Sequence, residues 1–208
     1  MKSLLDDVKN LNFTLPSECV TIFGSARFDD DNEFCKKAYE LSKMLSNSGF
    51  TIVTGGGGGI MKASNKAAFE NNTQSVGINV VLPNEQKLNE FVTNGTVFSN
   101  LALRKVALIQ KSSYFIIFPG GFGTLDELFE VLVLVQNGMK EAKIFLYGVE
   151  FYKPLIEFLK TSLLFEKTIC SADLDFFTLT DDINLIYEKI ISIQLFKLNI
   201  LTNLLASN

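Results

Sequence analysis

Short, continuously apolar runs alternate with longer stretches of helical spacing along nearly the whole chain, and no other feature restricts the fold as much. The runs are CVTIF (19–23), FTIVT (50–54), SVGINVVLP (75–83), SYFIIF (113–118), KIFLY (143–147) and FFTLT (176–180). A strand that is apolar at consecutive positions has both faces buried, as in a parallel sheet covered by helices. The intervening segments supply those helices. Phe34, Ala38, Leu41 and Leu45 recur at helical spacing within 31–48, and further helices are expected over 59–70, 101–111, 124–136, 151–164 and 181–193. A polar stretch follows the third run to about Asn100.

The pattern predicts an α/β fold, a Rossmann-like three-layer sandwich with a mainly parallel sheet. At 208 residues the chain is long enough to bury such a core without disulfides. The expected organisation is an N-terminal extension over 1–18, one domain over 19–194 and an apolar tail over 195–208. That tail, LFKLNILTNLLASN, is expected to pack on the body or on a second subunit.

Folds of this kind bind ligands beyond the carboxyl ends of their strands. Three segments leave strands at that edge: GSAR from residue 24, GGGGG from residue 55 and PGGFGT from residue 119. The glycine run follows a strand and opens a helix, but it is not a dinucleotide fingerprint. Ile60, Met61 and Lys62 stand where the three possible G-x-G-x-x-G starts need glycine, and Met61 before Lys62 excludes a Walker A loop. Five glycines still exceed what a tight turn needs, and they suit close backbone approach to a ligand.

PGGFGTLDE (119–127) is more specific. Its glycines can wrap an anion with backbone N–H groups, and Thr124 adds a hydroxyl where the helix dipole contributes about half a positive charge. The expected ligand is a phosphate monoester. Glu127 has a plainer alternative, because Thr124-Leu-Asp-Glu127 matches the S/T-x-x-E capping box. Arg104 and Lys105 also have one, since adjacent cations early in a helix are commonly solvated surface. From spacing alone both alternatives stay open.

Composition narrows the chemistry. The chain has no histidine, which excludes a Ser-His-Asp or Cys-His nucleophile, a His₃ zinc site and an H-E-x-x-H metalloprotease. Acid–base work near neutral pH then falls to carboxylates, Lys, Tyr or Cys. A net charge of −4 gives no global basic field to attract nucleic acid. Cys19, Cys35 and Cys170 are odd in number and widely spaced, which suits reduced thiols better than disulfides or a metal cluster. An Asp pair, Asp6 and Asp7, interrupts the first apolar stretch, so no signal peptide is expected there. No segment approaches the roughly 18 apolar residues of a membrane span, and a soluble, cytoplasmic protein is expected.

FGSAR (23–27), TGGGGGIMKASNKAA (54–68), SVGINVVLPNEQ (75–86), LRK (103–105) and PGGFGTLDE (119–127) together resemble the Lonely Guy (LOG) family. These are cytokinin-activating phosphoribohydrolases long misnamed lysine decarboxylases, and the stretch over 77–86 is similar to their bacterial branch. The resemblance spans about residues 20 to 155. It implies hydrolysis of the N-glycosidic bond of AMP or an N6-prenylated nucleoside 5′-monophosphate, giving free base and ribose 5-phosphate. It also implies Arg104 and Glu127 as the catalytic pair. Gly120, Gly121, Gly123 and Thr124 would hold the 5′-phosphate, with Gly24, Ser25, Glu85, Lys105 and Phe122 completing the nucleotide site. No metal and no cofactor are implied, and a homodimer or larger homo-oligomer with shared sites is expected. Gly58 departs from the proline usual in bacterial members, and Val133 from a threonine in plant members.

Two other functions compete. One is a nucleotide-binding or carrier module of the same fold without turnover. The other is an NAD-linked oxidoreductase, which the failed fingerprint disfavours. The surroundings of the lysines offer nothing for an internal aldimine, so the older decarboxylase label gains no support.

Overall fold

A parallel strand order turns the alternating pattern into a single seven-stranded sheet. The computed structural model describes residues 4–15, 17–81 and 87–206. Within them the strands are β1 (Cys19–Phe23), β2 (Thr51–Thr54), β3 (Ser75–Val80), β4 (Asn94–Phe98), β5 (Ser112–Ile117), β6 (Lys143–Tyr147) and β7 (Phe177–Thr180). They lie in the order β4-β3-β2-β1-β5-β6-β7, and every neighbouring pair is parallel. All residues of β1, β2 and β3 are buried, as continuous apolar runs require.

The helices are α1 (Leu4–Asn10), α2 (Glu33–Asn47), α3 (Ile60–Glu70), α4 (Leu101–Gln110), α5 (Phe122–Gln136), α6 (Val149–Phe158) and α7 (Ile183–Ala206). On one face of the sheet Val20, Ile22 and Ile116 pack against Leu41 and Leu45 of α2, Ala68 of α3 and Ile186 and Ile190 of α7. On the other, Phe23, Phe115 and Ile117 pack against Leu108 of α4, Leu128 and Val131 of α5 and Tyr152 of α6. Two apolar layers therefore sandwich the sheet, and the three-layer α/β expectation holds.

The structure adds elements to the expected pattern. β4 pairs with β3 as the edge strand, within the polar stretch that precedes Asn100. Its first two residues are exposed and one is glycine, so it carries little of a strand's apolar signal. α5 begins at Phe122, two residues before Thr124, and α6 runs on into a π-helical segment over Leu159–Leu164. The stretch expected as a tail continues α7 to Ala206, with Leu195, Phe196, Leu198 and Ile200 exposed. Among the described residues, no helix is long and apolar enough to cross a membrane.

α1 has a specific task. Its Asp7 is fully buried, and the carboxylate accepts hydrogen bonds from the backbone N–H of Ser99 at 2.9 Å, the Ser99 hydroxyl at 2.7 Å and the Asn100 N–H at 2.8 Å. Asn100 is the N-cap of α4, so the N-terminal segment clamps the start of that helix. Asp7→Ala would leave these donors unsatisfied, at a cost of about 1–3 kcal/mol. We expect a melting temperature lowered by several degrees; a thermal melt superimposable on wild type would show that the clamp carries no weight.

Candidate active site

β1 and β5 are neighbours whose connections depart toward opposite edges of the sheet, which opens a crevice at their carboxyl ends. The glycine segments converge there through backbone hydrogen bonds. Phe118 N–H donates to the Phe23 carbonyl at 2.9 Å, Ser25 N–H to the Pro119 carbonyl at 3.0 Å, and Ile60 N–H to the Ser25 carbonyl at 3.0 Å. Close approach explains two glycines. A side chain on Gly24 would meet Ile60 at 2.7 Å, and Gly59, at a φ of +56°, lies directly against the Ser25 carbonyl.

The segment after β5 forms the N-terminus of α5. Gly121 is the N-cap and supplies no side-chain cap, so Phe122, Gly123 and Thr124 occupy the first helical turn. Amides there have no partner within the helix and point outward with the positive end of the dipole. Thr124 is buried, and its hydroxyl packs against Gly120, where any larger residue would collide with it. Phe122, the first residue of α5, is 93% exposed.

This start of α5 removes the capping-box alternative for Glu127. With Gly121 as N-cap, Glu127 lies beyond the first turn, and its carboxylate turns to α4 instead. Arg104 Nη1 donates to Glu127 Oε1 at 2.5 Å, and Arg104 Nε donates to the Ile78 carbonyl at 3.0 Å. Arg104 is thus held between β3 and α5, and Glu127 is 8% exposed. Burial pushes the Glu127 carboxyl above its ordinary range, because the charged form loses water; the Arg104 charge and hydrogen bond limit that rise.

The other expected site residues are placed less uniformly. Gly24 and Ser25 join the crevice, and the Ser25 hydroxyl accepts from Arg27 N–H at 3.1 Å. The Arg27 side chain is exposed. Lys105 reaches Glu130 at 2.6 Å and Asp126 at 3.1 Å, which ties α4 to α5, and these carboxylates, Glu130 first, raise its ammonium pKa despite partial burial. Glu85 lies outside the described residues. Gly55, within the run suited to ligand approach, packs against the Arg104 guanidinium, which a Cβ would overlap. No local signal in the sequence marks that contact.

The sequence profile of a family described as "Possible lysine decarboxylase" matches residues 61–190. The chain is 32% identical over 126 residues to the probable cytokinin riboside 5′-monophosphate phosphoribohydrolase LOGL2 of Oryza sativa subsp. japonica, covering 59% of this chain and 51% of that protein. It is also 32% identical over 126 residues to the cytokinin riboside 5′-monophosphate phosphoribohydrolase LOG1 of Arabidopsis thaliana, covering 59% of each. The chain spans 51% to 60% of the length of the first curated relatives it matches. Among solved structures, the molybdenum cofactor binding protein from Rippkaea orientalis superposes with a TM-score of 0.63 at 16% identity, covering 86% of this chain and 99% of that one. The molybdenum cofactor carrier protein from Chlamydomonas reinhardtii gives 0.60 at 18% identity, covering 85% and 97%. At such identities these two establish likeness of fold.

Proposed function

Since the chain belongs to the Lonely Guy (LOG) family, whose profile covers residues 61–190, we propose that it is a phosphoribohydrolase that splits the N-glycosidic bond of a nucleoside 5′-monophosphate, AMP or an N6-prenylated form of it. The observation that carries this reading is the Arg104–Glu127 contact at 2.5 Å beside an uncapped helix N-terminus. A phosphate monoester fits the first-turn amides of α5, with the Thr124 hydroxyl as a further donor. The glycosidic carbon then faces Glu127.

Cleavage at an anomeric carbon passes through an oxocarbenium-like state with positive charge on the ribose. The Glu127 carboxylate stabilises that charge and takes a proton from the attacking water, while the departing base takes up a proton from solvent and Glu127 returns its own to solvent afterwards. Arg104 orients the carboxylate and opposes the effect of burial, favouring the ionised form. Gly24, Ser25, Glu85, Lys105 and Phe122 belong to the nucleotide-binding set in this proposal. A second copy of the chain covering the exposed Phe129 and Val133 of α5 belongs to it too, as does a cytoplasmic setting.

Incubation with AMP and with isopentenyl-AMP, followed by chromatography for free base and ribose 5-phosphate, tests the reading. Base released no faster than in buffer overturns it and leaves a nucleotide-binding carrier. Thr124→Ala removes one donor to a charged phosphate, a loss of about 1.5 kcal/mol or more. We expect KM to rise about tenfold with kcat little changed. An unchanged KM would move the phosphate away from α5.

A further inference from the structure

We propose that Asn65 is a positioning residue for the Arg104–Glu127 pair, acting through the first glycine loop; this rests on the catalytic reading of that pair. Asn65 lies in α3 and is fully buried. A buried amide is costly unless its hydrogen bonds are made, and all four of its positions are filled. Its oxygen accepts from the Thr54 hydroxyl at 2.7 Å and from Asn89 Nδ2 at 3.0 Å. Its nitrogen donates to the Ser75 hydroxyl at 2.8 Å and to the Val76 carbonyl at 3.3 Å. A carbonyl can only accept, so Val76 determines which end of the amide is nitrogen.

The two groups bound to the Asn65 oxygen are the two that grip the glycine loop. The Thr54 hydroxyl, having donated to Asn65, accepts from Gly56 N–H at 2.9 Å. Asn89 donates from its side chain to the Gly57 carbonyl at 3.0 Å and from its backbone N–H to the Gly56 carbonyl at 2.8 Å. Gly56 makes the left-handed turn of this loop at a φ of +70°, which glycine adopts freely. Gly55, one residue back, packs against the Arg104 guanidinium, which also meets the Ile78 carbonyl and Glu127. Asn65 therefore governs the wall against which the catalytic guanidinium rests, although no contact joins it to either member of the pair.

Removing the amide has a consequence that simple loss of packing lacks. Asn65→Ala frees Thr54 and Asn89 from their common acceptor, the loop recedes from Arg104, and the guanidinium gains room to leave Glu127. The charged groups acting on Glu127 are Arg104 and Lys105 from α4 and Asp126 from α5. Lys105 and Asp126 are held to one another and not to the loop. A change at Glu127 on loosening the loop thus reports Arg104. Asn89→Ala is the milder variant, because Asn89 is only partly buried and Asn65 keeps its other three bonds.

The experiment follows the full-length wild type, Asn65→Ala and Asn89→Ala by AMP kinetics across pH and by carbon-13 titration of the Glu127 carboxyl. We expect kcat to fall about 100-fold in Asn65→Ala and less in Asn89→Ala, with KM changed under about threefold. The acid limb of kcat and the Glu127 titration should both move up by about one pH unit. Lower melting temperatures with an unmoved titration would overturn the proposal and leave Asn65 as a packing residue. Should Asn65→Ala fail to fold, Asn89→Ala decides alone by the same criterion. Should the wild type release no base, the catalytic reading fails by itself, while the Glu127 titration still decides whether Asn65 controls the pair.

Discussion

Glu127→Gln should lower the rate of AMP hydrolysis by about a thousandfold or more while leaving the fold intact, a loss in the range of a missing general base or charge stabiliser. The amide matches the carboxyl in shape and can still accept from Arg104 Nη1, so the contact between α4 and α5 persists. What it lacks is the negative charge that an oxocarbenium-like state requires and the basicity that receives water's proton. Stability should change little because two effects oppose. The raised carboxyl pKa means that the folded protein favours the protonated form, a contribution present at low pH and lost as pH rises through the folded value. A permanently neutral Gln escapes the desolvation of the charged form, but it gives up the charge attraction to Arg104. Turnover near the wild-type level in a well-folded Glu127→Gln would reduce Glu127 to a structural link. In the wild type, activity needs the ionised carboxylate, so it should fall as pH drops through a value above the ordinary glutamate range.

The strands and helices were legible because apolar periodicity is a local property and because burial on both faces leaves continuous runs. β4 was not, since an edge strand with exposed Asn94 and Gly95 has no apolar pattern to show. The start of α5 was misplaced for a different reason. Thr124 followed by two carboxylates imitates an N-cap, whereas the helix begins two residues earlier on Gly121, without a side-chain cap. The Arg104–Glu127 contact joins residues 23 apart, and spacing could not favour it over a capping box; family resemblance singled the two residues out. Asp7 and Asn65 lay deeper still. Asp7 shows in the sequence only as an interruption of an apolar stretch, and Asn65 carries no signal of its own beyond lying in the 54–68 segment. Each acquires its role from a partner that the parallel topology brings from elsewhere in the chain, Ser99 for the first and Thr54, Ser75 and Asn89 for the second.

Arg104→Ala should be the more damaging of the two site changes, because it removes activity and stability together. The Ile78 carbonyl loses its donor and a buried carboxylate loses its counter-charge. Breaking a buried pair from one side typically costs about 3–5 kcal/mol, so Arg104→Ala should melt well below both wild type and Glu127→Gln. Glu127 would answer by holding its proton to higher pH, because burial is then opposed chiefly by the more distant Lys105. The stability loss should accordingly shrink as pH falls and Glu127 becomes neutral. Arg104→Lys separates charge from shape. A single ammonium preserves the positive charge but cannot bond the Ile78 carbonyl and Glu127 with the fixed fork of a guanidinium. It should recover part of the stability while leaving kcat about 100-fold down, the penalty of a misplaced catalytic group. Thermal melts of Arg104→Ala at pH 5 and pH 8 check the electrostatic half of this prediction. Equal losses at the two pH values would show that the Ile78 contact, and not the charge on Glu127, is what Arg104 contributes to the fold.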